Sequence, residues 1–235
     1  MDMDLDLLRN AELFRGFTDA DFAKICASVR RRVQDFERKD VLVRQGAPVS
    51  EIGVLIRGGL LSEKYHINGR VQIIRTFSPY AAVNLDAVCS SFRTGPTTIT
   101  ANRSGRIIWL SFDDLIQGEA VSAAVNKALF DRIAAILADE NIRLMYKSDI
   151  LAMRTVRGRI MAYFSILSEK RGSLTIDIDM NQEELAQYLC LDRSSLSLEL
   201  NKMRREGILD FNKKIYTLAF RERGLNAPPH FRVPL

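Results

Sequence analysis

Apolar positions along this chain change period twice, and each change marks a different kind of element. Residues 33–112 carry short runs of β-branched and aromatic residues, punctuated by Gly46, Gly53, Gly58–Gly59 and Asn68–Gly69. Many short strands broken by turn residues predict an antiparallel sandwich or roll. Within it, "HINGRV" is an Asn-Gly hairpin signal, read as a two-residue type I′ turn. From Glu119 to about Lys147 the period switches. Val121, Val125, Leu129, Ile133, Ile136 or Leu137, and Leu144 recur in steps of three and four, which predicts one long helix of roughly 40 Å. Such a stripe is buried either on the chain's own roll or against its twin in a second copy. Its coiled-coil-like spacing favours the twin, with Val125, Leu129, Ile133 and Ile136 as the dimer seam.

Short helices are expected before the roll, over Met3–Phe17 and again in "FTDADFAKICASV". After the long helix, Ser148–Asp149 reads as the cap of another, "DILAMRTVRGRIMAYFSILSEKRG", which Gly172 ends. The pattern divides the chain into a β-roll domain (1–118), a long helix (119–147), a small C-terminal domain (148–220) and a tail (221–235). That tail, with two adjacent prolines and His230, reads as extended or poorly ordered.

Composition narrows the function by exclusion. The formal charge of +5 divides almost evenly, +2 over residues 1–147 and +3 over 148–235, so a polyanionic partner must be argued from placement rather than totals. Cys26, Cys89 and Cys190 lie far apart without a CxxC pair, which argues against a disulfide framework, a zinc site or an iron–sulfur cluster. No basic-then-apolar leader and no apolar run of membrane length stand out, so a soluble cytoplasmic protein with no membrane partner is expected. An enzyme finds little support: only His66 and His230 are available, and no GxSxG, P-loop, GxGxxG or HExxH motif stands in a suitable context.

The segment "NQEELAQYLCLDRSSLSLELNKMRREG", Asn181–Gly207, is the informative one. It reads as two short helices with a break at Cys190–Leu191–Asp192. Leu185, Ala186 and Leu189 share the inner face of the first; Leu196, Leu200 and Met203 continue that core on the second, with Leu191 plugging the gap. Asp192 is placed as an N-cap, leaving Arg193, Ser194 and Ser195 in the first turn, followed by Ser197 and Lys202. An αα-hairpin with polar outer positions would look similar. The strand "SLTIDID" before it and "ILDFNKKIYTL" after it tip the reading, because strand–helix–helix–strand–strand is a winged helix-turn-helix, with Lys213 and Lys214 at the wing tip. In that arrangement Arg193, Ser194, Ser195, Ser197 and Lys202 face DNA from the second helix. Asn181 and Gln182 meet phosphate at the start of the first.

With these motifs in place, the chain resembles the Crp/Fnr family of bacterial transcription regulators over nearly its whole length. The likeness rests on the roll "GAPVSEIGVLIRGGLLSEKYHINGR", the long helix and the Asn181–Leu209 reader. The resemblance implies an α+β fold: a cupin-like antiparallel β-roll of the cyclic-nucleotide-binding type, a long dimerisation helix and a C-terminal winged helix-turn-helix. It also implies a homodimer on a palindromic double-stranded operator, contact with RNA polymerase, and a small-molecule effector held between roll and helix, near Tyr80, Asn84, Cys89, Thr97 and Thr98. The departures matter. Where relatives that bind cyclic nucleotides carry a Gly-Glu-Leu turn and then an Arg-Ser/Thr pair, this chain has Val83–Asn84–Leu85 and Gly95–Thr98. The cation for the cyclic phosphate is missing; Arg93 stands two residues out of register. An effector other than cyclic AMP is therefore expected. His66 leaves haem as the alternative occupant, since some relatives hold haem through His or Cys. Relatives commonly read Ser-Arg where this chain has Ser197–Leu198, so its operator should differ, or the reader is degraded and the roll survives as a ligand-binding module. Cys190 replaces a glycine often seen in the turn and is strained by about 1 kcal/mol if that position needs positive φ.

Overall fold

The computed structural model describes residues 3–117 and 122–219. The chain folds as two compact units, Met1–Glu140 and Asn141–Leu235.

The first unit opens with α1 (Met3–Leu8), a 3₁₀ turn (Glu12–Phe14) and α2 (Asp19–Ser28), whose N-cap Thr18 accepts a hydrogen bond from the Asp21 N–H. The roll follows: β1 (Arg31–Phe36), β2 (Val41–Val43), β3 (Glu51–Tyr65), β4 (Val71–Phe77), β5 (Ala82–Val83), the short α3 (Leu85–Cys89) and β6 (Thr98–Ser111). All pairings are antiparallel, in the order β1-β6-β3-β4, with β2 on β6 and β5 on β3. Strands β3 and β6 run the length of the roll and stay paired through several register shifts. At one of these, Gly58 adopts φ +98° and lies so close to Gly105 that a Cβ on Gly105 would collide with the Arg57 carbonyl. Glycine is required there by close approach. The interior is filled by Phe36, Leu55, Leu60, Phe77, Ile107 and Trp109, with the indole N–H donating to Gln34 at 2.8 Å.

The "HINGRV" hairpin forms with a different turn from the one expected. Strand β3 ends at Tyr65 and β4 begins at Val71, and of the residues between only Gly69 has positive φ. The Gly69 N–H donates to the His66 carbonyl and Asn68 caps the Arg70 N–H, so a four-residue turn closed by a left-handed glycine replaces the two-residue type I′ turn.

After α4 (Phe112–Gln117) the long helix α5 runs from Ala123 to Ala152. The start expected at Glu119 lies outside the described residues. The expected break at Ser148–Asp149 is absent. Lys147 and Ile150, on either side of it, are both buried, and packing outweighs capping propensity. The break comes instead before Thr155, whose side chain accepts from Gly158 N–H and caps α6 (Val156–Arg171).

The seam assignment needs correction. Leu129, Ile133 and Ile136 are 1%, 5% and 4% exposed, and Val125 packs beside them, all in the first unit's own core with Phe14, Ile52, Val88 and Ile108. This stripe covers the roll and is not available to a second copy. A second stripe runs beside it: Phe130 (49% exposed), Ala134, Leu137, which is half-buried and also packs against the first unit's core, then Asn141 and Leu144 (49%). Its steps are four, three, four and three.

The second unit is built from α6, β7 (Thr175–Asp177), α7 (Gln182–Tyr188), α8 (Arg193–Arg205), β8 (Leu209–Asn212) and β9 (Ile215–Leu218), with sheet order β7-β9-β8. Its core holds Ile160, Phe164, Leu185, Ala186, Leu189, Leu196, Leu200, Met203 and Tyr216. Every inner-face position read from the two-helix segment is among them. The tail from residue 220, including His230, lies outside the described residues.

Candidate nucleic-acid interface

Helix α7 starts with a reciprocal capping box. The Glu184 N–H donates to the Asn181 side chain at 3.0 Å, and the Asn181 N–H donates to the Glu184 carboxylate at 2.8 Å. Asn181, expected at a phosphate, spends its side-chain oxygen on this cap, and Gln182 is half-buried. The helix ends in a six-to-one bond from Leu191 N–H to the Ala186 carbonyl, with Cys190 left-handed at φ +54°. Positive φ is therefore required at Cys190. Arg159 braces this turn by donating to the Leu189 and Cys190 carbonyls at 3.3 and 3.0 Å.

Asp192 occupies the N-cap position of α8, though its side chain makes no capping bond. The helix is held from behind by Arg157 on α6, which bonds Glu199 at 2.6 Å and Glu206 at 2.7 Å. Those bonds keep the Glu206 carboxyl below its ordinary range and hold Arg157 firmly protonated. With Leu196, Leu200 and Met203 fully buried, the orientation of α8 is fixed, and so is the face it turns to solvent.

That face carries Ser194, Leu198, Asn201, Lys202 and Arg205, all exposed. Ser194 and Lys202 stand where the sequence reading puts them. Ser195 and Ser197 lie on the flanks, half-buried. Arg193 is exposed at the first turn, 3.7 Å from Glu183 of α7. Asn201 and Arg205 were not anticipated. The signal was available, because 194, 198, 201 and 205 repeat at intervals of four, three and four, as one helix face must.

The wing is the two-residue link Lys213–Lys214 between β8 and β9. Lys213 is exposed with φ +53°. Lys214 bonds Asp179 at 3.0 Å and is half-buried, so its charge is already committed and only Lys213 fits the expected role. Arg204 ties the reader to the wing: it pairs with Asp210 at 2.8 Å, donates to the Phe211 carbonyl and lies 3.7 Å from the Phe211 ring centre.

The effector candidates Tyr80, Asn84, Cys89, Thr97 and Thr98 all belong to the first unit. Between α3, Phe112 and α5 lies a cavity of about 620 Å³, lined by Val88, Cys89, Arg93, Phe130 and Leu137 among others. Of the five candidates only Cys89 lines it. Tyr80 (φ +72°) is held through its backbone by Leu55 and Glu12. Thr97 shares a 2.7 Å bond with Ser62, and Thr98 accepts from the Gln45 N–H. Asn84 is buried as the left-handed N-cap of α3, with its side-chain N–H₂ lacking a hydrogen-bond partner. Arg93 pairs with Asp113 at 2.9 Å. His66 sits on the exposed β3–β4 turn, bonded to Gln72 at 3.0 Å. No group of His, Cys, Asp and Glu suited to a metal ion occurs among the described residues, and no described helix is long and apolar enough to cross a membrane.

Residues 158–223 match the family model of the Crp-like helix-turn-helix domain. No curated protein sequence matches the chain. Among solved structures, it is similar to FixK2 from Bradyrhizobium japonicum, at 17% identity over 82% of this chain and 94% of that one, with a TM-score of 0.65. It is similar to the c-di-GMP-responsive global regulator CLP from Xanthomonas campestris, at 18% identity over 86% and 99%, TM-score 0.69. A CooA mutant from Carboxydothermus hydrogenoformans gives 16% identity over 93% and 92%, also with TM-score 0.69. At these identities the likeness establishes the fold over the part of the chain that is covered.

Proposed function

We propose that this chain, which carries a Crp-like helix-turn-helix DNA-binding domain on the fold of the Crp/Fnr regulators, works as a homodimeric cytoplasmic transcription regulator on a two-fold symmetric operator. The observation that carries the reading is the outer face of α8. A helix pinned by Arg157, Arg159 and a buried leucine core presents Ser194, Asn201, Lys202 and Arg205, with Lys213 beside it on the wing. Helix side chains reach base edges in the major groove while wing cations meet phosphates. Dimerisation is supported by the exposed 130–134–137–141–144 stripe, which replaces the seam read from sequence. An effector other than cyclic AMP, bound in the first unit, sets the switch, and RNA polymerase is the partner that converts binding into transcription.

The test is a titration of the full-length protein against duplexes enriched from a randomised library, repeated at several salt concentrations. Arg205→Ala should cost roughly 1–3 kcal/mol on the enriched site. Lys213→Ala should weaken enriched and scrambled DNA alike and reduce the slope of log affinity against log salt by about 1 per contact. Failure to enrich any sequence would overturn the reading.

A further inference from the structure

We propose that Leu198 reads a thymine methyl group, so that each half-site of the operator carries one T·A pair recognised through its methyl rather than through a hydrogen bond. The inference rests on the regulator reading above and gives one position of the operator a chemical identity.

Leu198 is 70% exposed, whereas the other leucines of α7 and α8 (Leu185, Leu189, Leu196 and Leu200) are at most 1% exposed. It lies in the middle of the solvent face of α8, with Ser194 one turn before it and Asn201 and Lys202 one turn after. No described residue of the second unit buries it, because the core faces the opposite side of the helix through Leu196, Leu200 and Met203. The surroundings select the occupant. An apolar protein partner would meet Lys202 and Arg205 on the same helix face, while a nucleic-acid duplex places phosphates against those charges. Of the groups that line the major groove, the donors and acceptors of guanine, cytosine and adenine find nothing on a leucine side chain. The C5-methyl of thymine is the apolar group there.

A polar reader would exchange hydrogen bonds with water for hydrogen bonds with a base. Leu198 and a methyl group each lose apolar area to water on contact, which is favourable for any apolar pair. The loss of one methyl from such a contact corresponds to about a fourfold loss of affinity per half-site. This makes the base pair distinguishable from the same pair with its hydrogen-bonding edge intact and only the methyl removed.

The experiment replaces thymine by deoxyuracil, one symmetric position at a time, in a palindromic duplex enriched from a randomised library by the full-length protein. One position per half-site should lower wild-type affinity about fourfold for each half-site. The same replacement should have no effect on Leu198→Ala, and Leu198→Arg should shift preference at that pair towards guanine. Because the side chain is exposed, both variants are expected to melt with the wild type, and circular dichroism checks this. An enriched site with no uracil-sensitive position, or a uracil effect that survives in Leu198→Ala, would overturn the inference while leaving the regulator reading intact. Failure to enrich any site would overturn both.

Discussion

Single residues in this chain report strain and burial that composition hides. Cys190 stands in a left-handed conformation at φ +54°, a position where a side chain costs about 1 kcal/mol relative to glycine. The position stood out beforehand through the resemblance, because relatives often carry a glycine there. Lys147 was not readable. Its spacing on a long polar-faced helix suggests a solvated side chain, yet it is 5% exposed, with its ammonium 3.7 Å from the centre of the Tyr188 ring. Burial brings its pKa down to about 8, against a smaller opposing pull from Cys190. Below about pH 8 the folded and unfolded states both hold the proton, and the folded state bears the cost of a buried charge. Between about 8 and the ordinary lysine value of 10.5, only the unfolded state keeps it, so stability of the second unit should rise with pH across this window. Lys147→Met should abolish that rise and stabilise the unit at pH 7. Urea melts at pH 7, 8 and 9.5 for both proteins measure it; a wild-type midpoint that is flat or falls over this range would contradict the burial of a charged Lys147.

At the scale of elements, α5 shows where reading a sequence succeeds and where it fails. The helix, its length and its apolar stripe were legible because a period of 3.6 over nearly thirty residues has no other source. The partner of the stripe was not. The helix carries two stripes. The more hydrophobic one, Leu129–Ile133–Ile136, covers the roll; the weaker one, Phe130–Ala134–Leu137–Asn141–Leu144, alternates strictly by four and three, as a two-helix seam does. Spacing of threes and fours is common to both stripes, so it could not say which of them the roll covers; the burial of Leu129, Ile133 and Ile136 does. The ion pair of Lys214 with Asp179 was hidden for a related reason: the two are distant in sequence, and no local pattern announces it. The two stripes make opposite predictions. Ile133→Asp places an unpaired carboxylate in the first unit's core and should cost several kcal/mol of stability. Ala134→Glu changes an exposed helical position to another good helix former and should leave helical content unchanged. It brings two like charges together in the proposed dimer and should convert dimers to monomers at micromolar concentration. Sedimentation velocity with circular dichroism separates the cases; an Ala134→Glu protein that remains dimeric would remove this stripe from the interface.

At the scale of the whole molecule, the proposed reader exposes its polar groups, whereas the first unit, proposed as the sensor, has its polar groups largely engaged. The net charge of +5 makes placement decide the polyanion case, and in the proposed regulator specificity rests on the few groups of the α8 face, presented twice by the proposed dimer. At the positions where the resemblance places a cyclic nucleotide, the first unit lacks the expected carboxylate and cation. Asn84 turns a buried side-chain donor inward at the turn where the resemblance places a ribose-binding carboxylate. Thr97 and Thr98 are engaged with Ser62 and Gln45 where a cation would meet the phosphate, and Arg93 is drawn to Asp113. A buried phosphate left without a charged partner forfeits roughly 1.5–3 kcal/mol or more. Linkage makes this measurable. A ligand present at a hundred times its Kd stabilises the folded unit by about 2.7 kcal/mol, so cyclic AMP at 1 mM would raise the melting temperature by roughly 5–10 °C if its Kd were near 10 µM. With the phosphate unpaired, a Kd of 1 mM or weaker is expected, which limits the shift to about 0.4 kcal/mol, or roughly 1–2 °C. Differential scanning calorimetry with and without 1 mM cyclic AMP decides between them. A shift of several degrees that disappears in Arg93→Ala would show that Arg93 leaves Asp113 for the phosphate, and the sensor would then be a cyclic-nucleotide site after all.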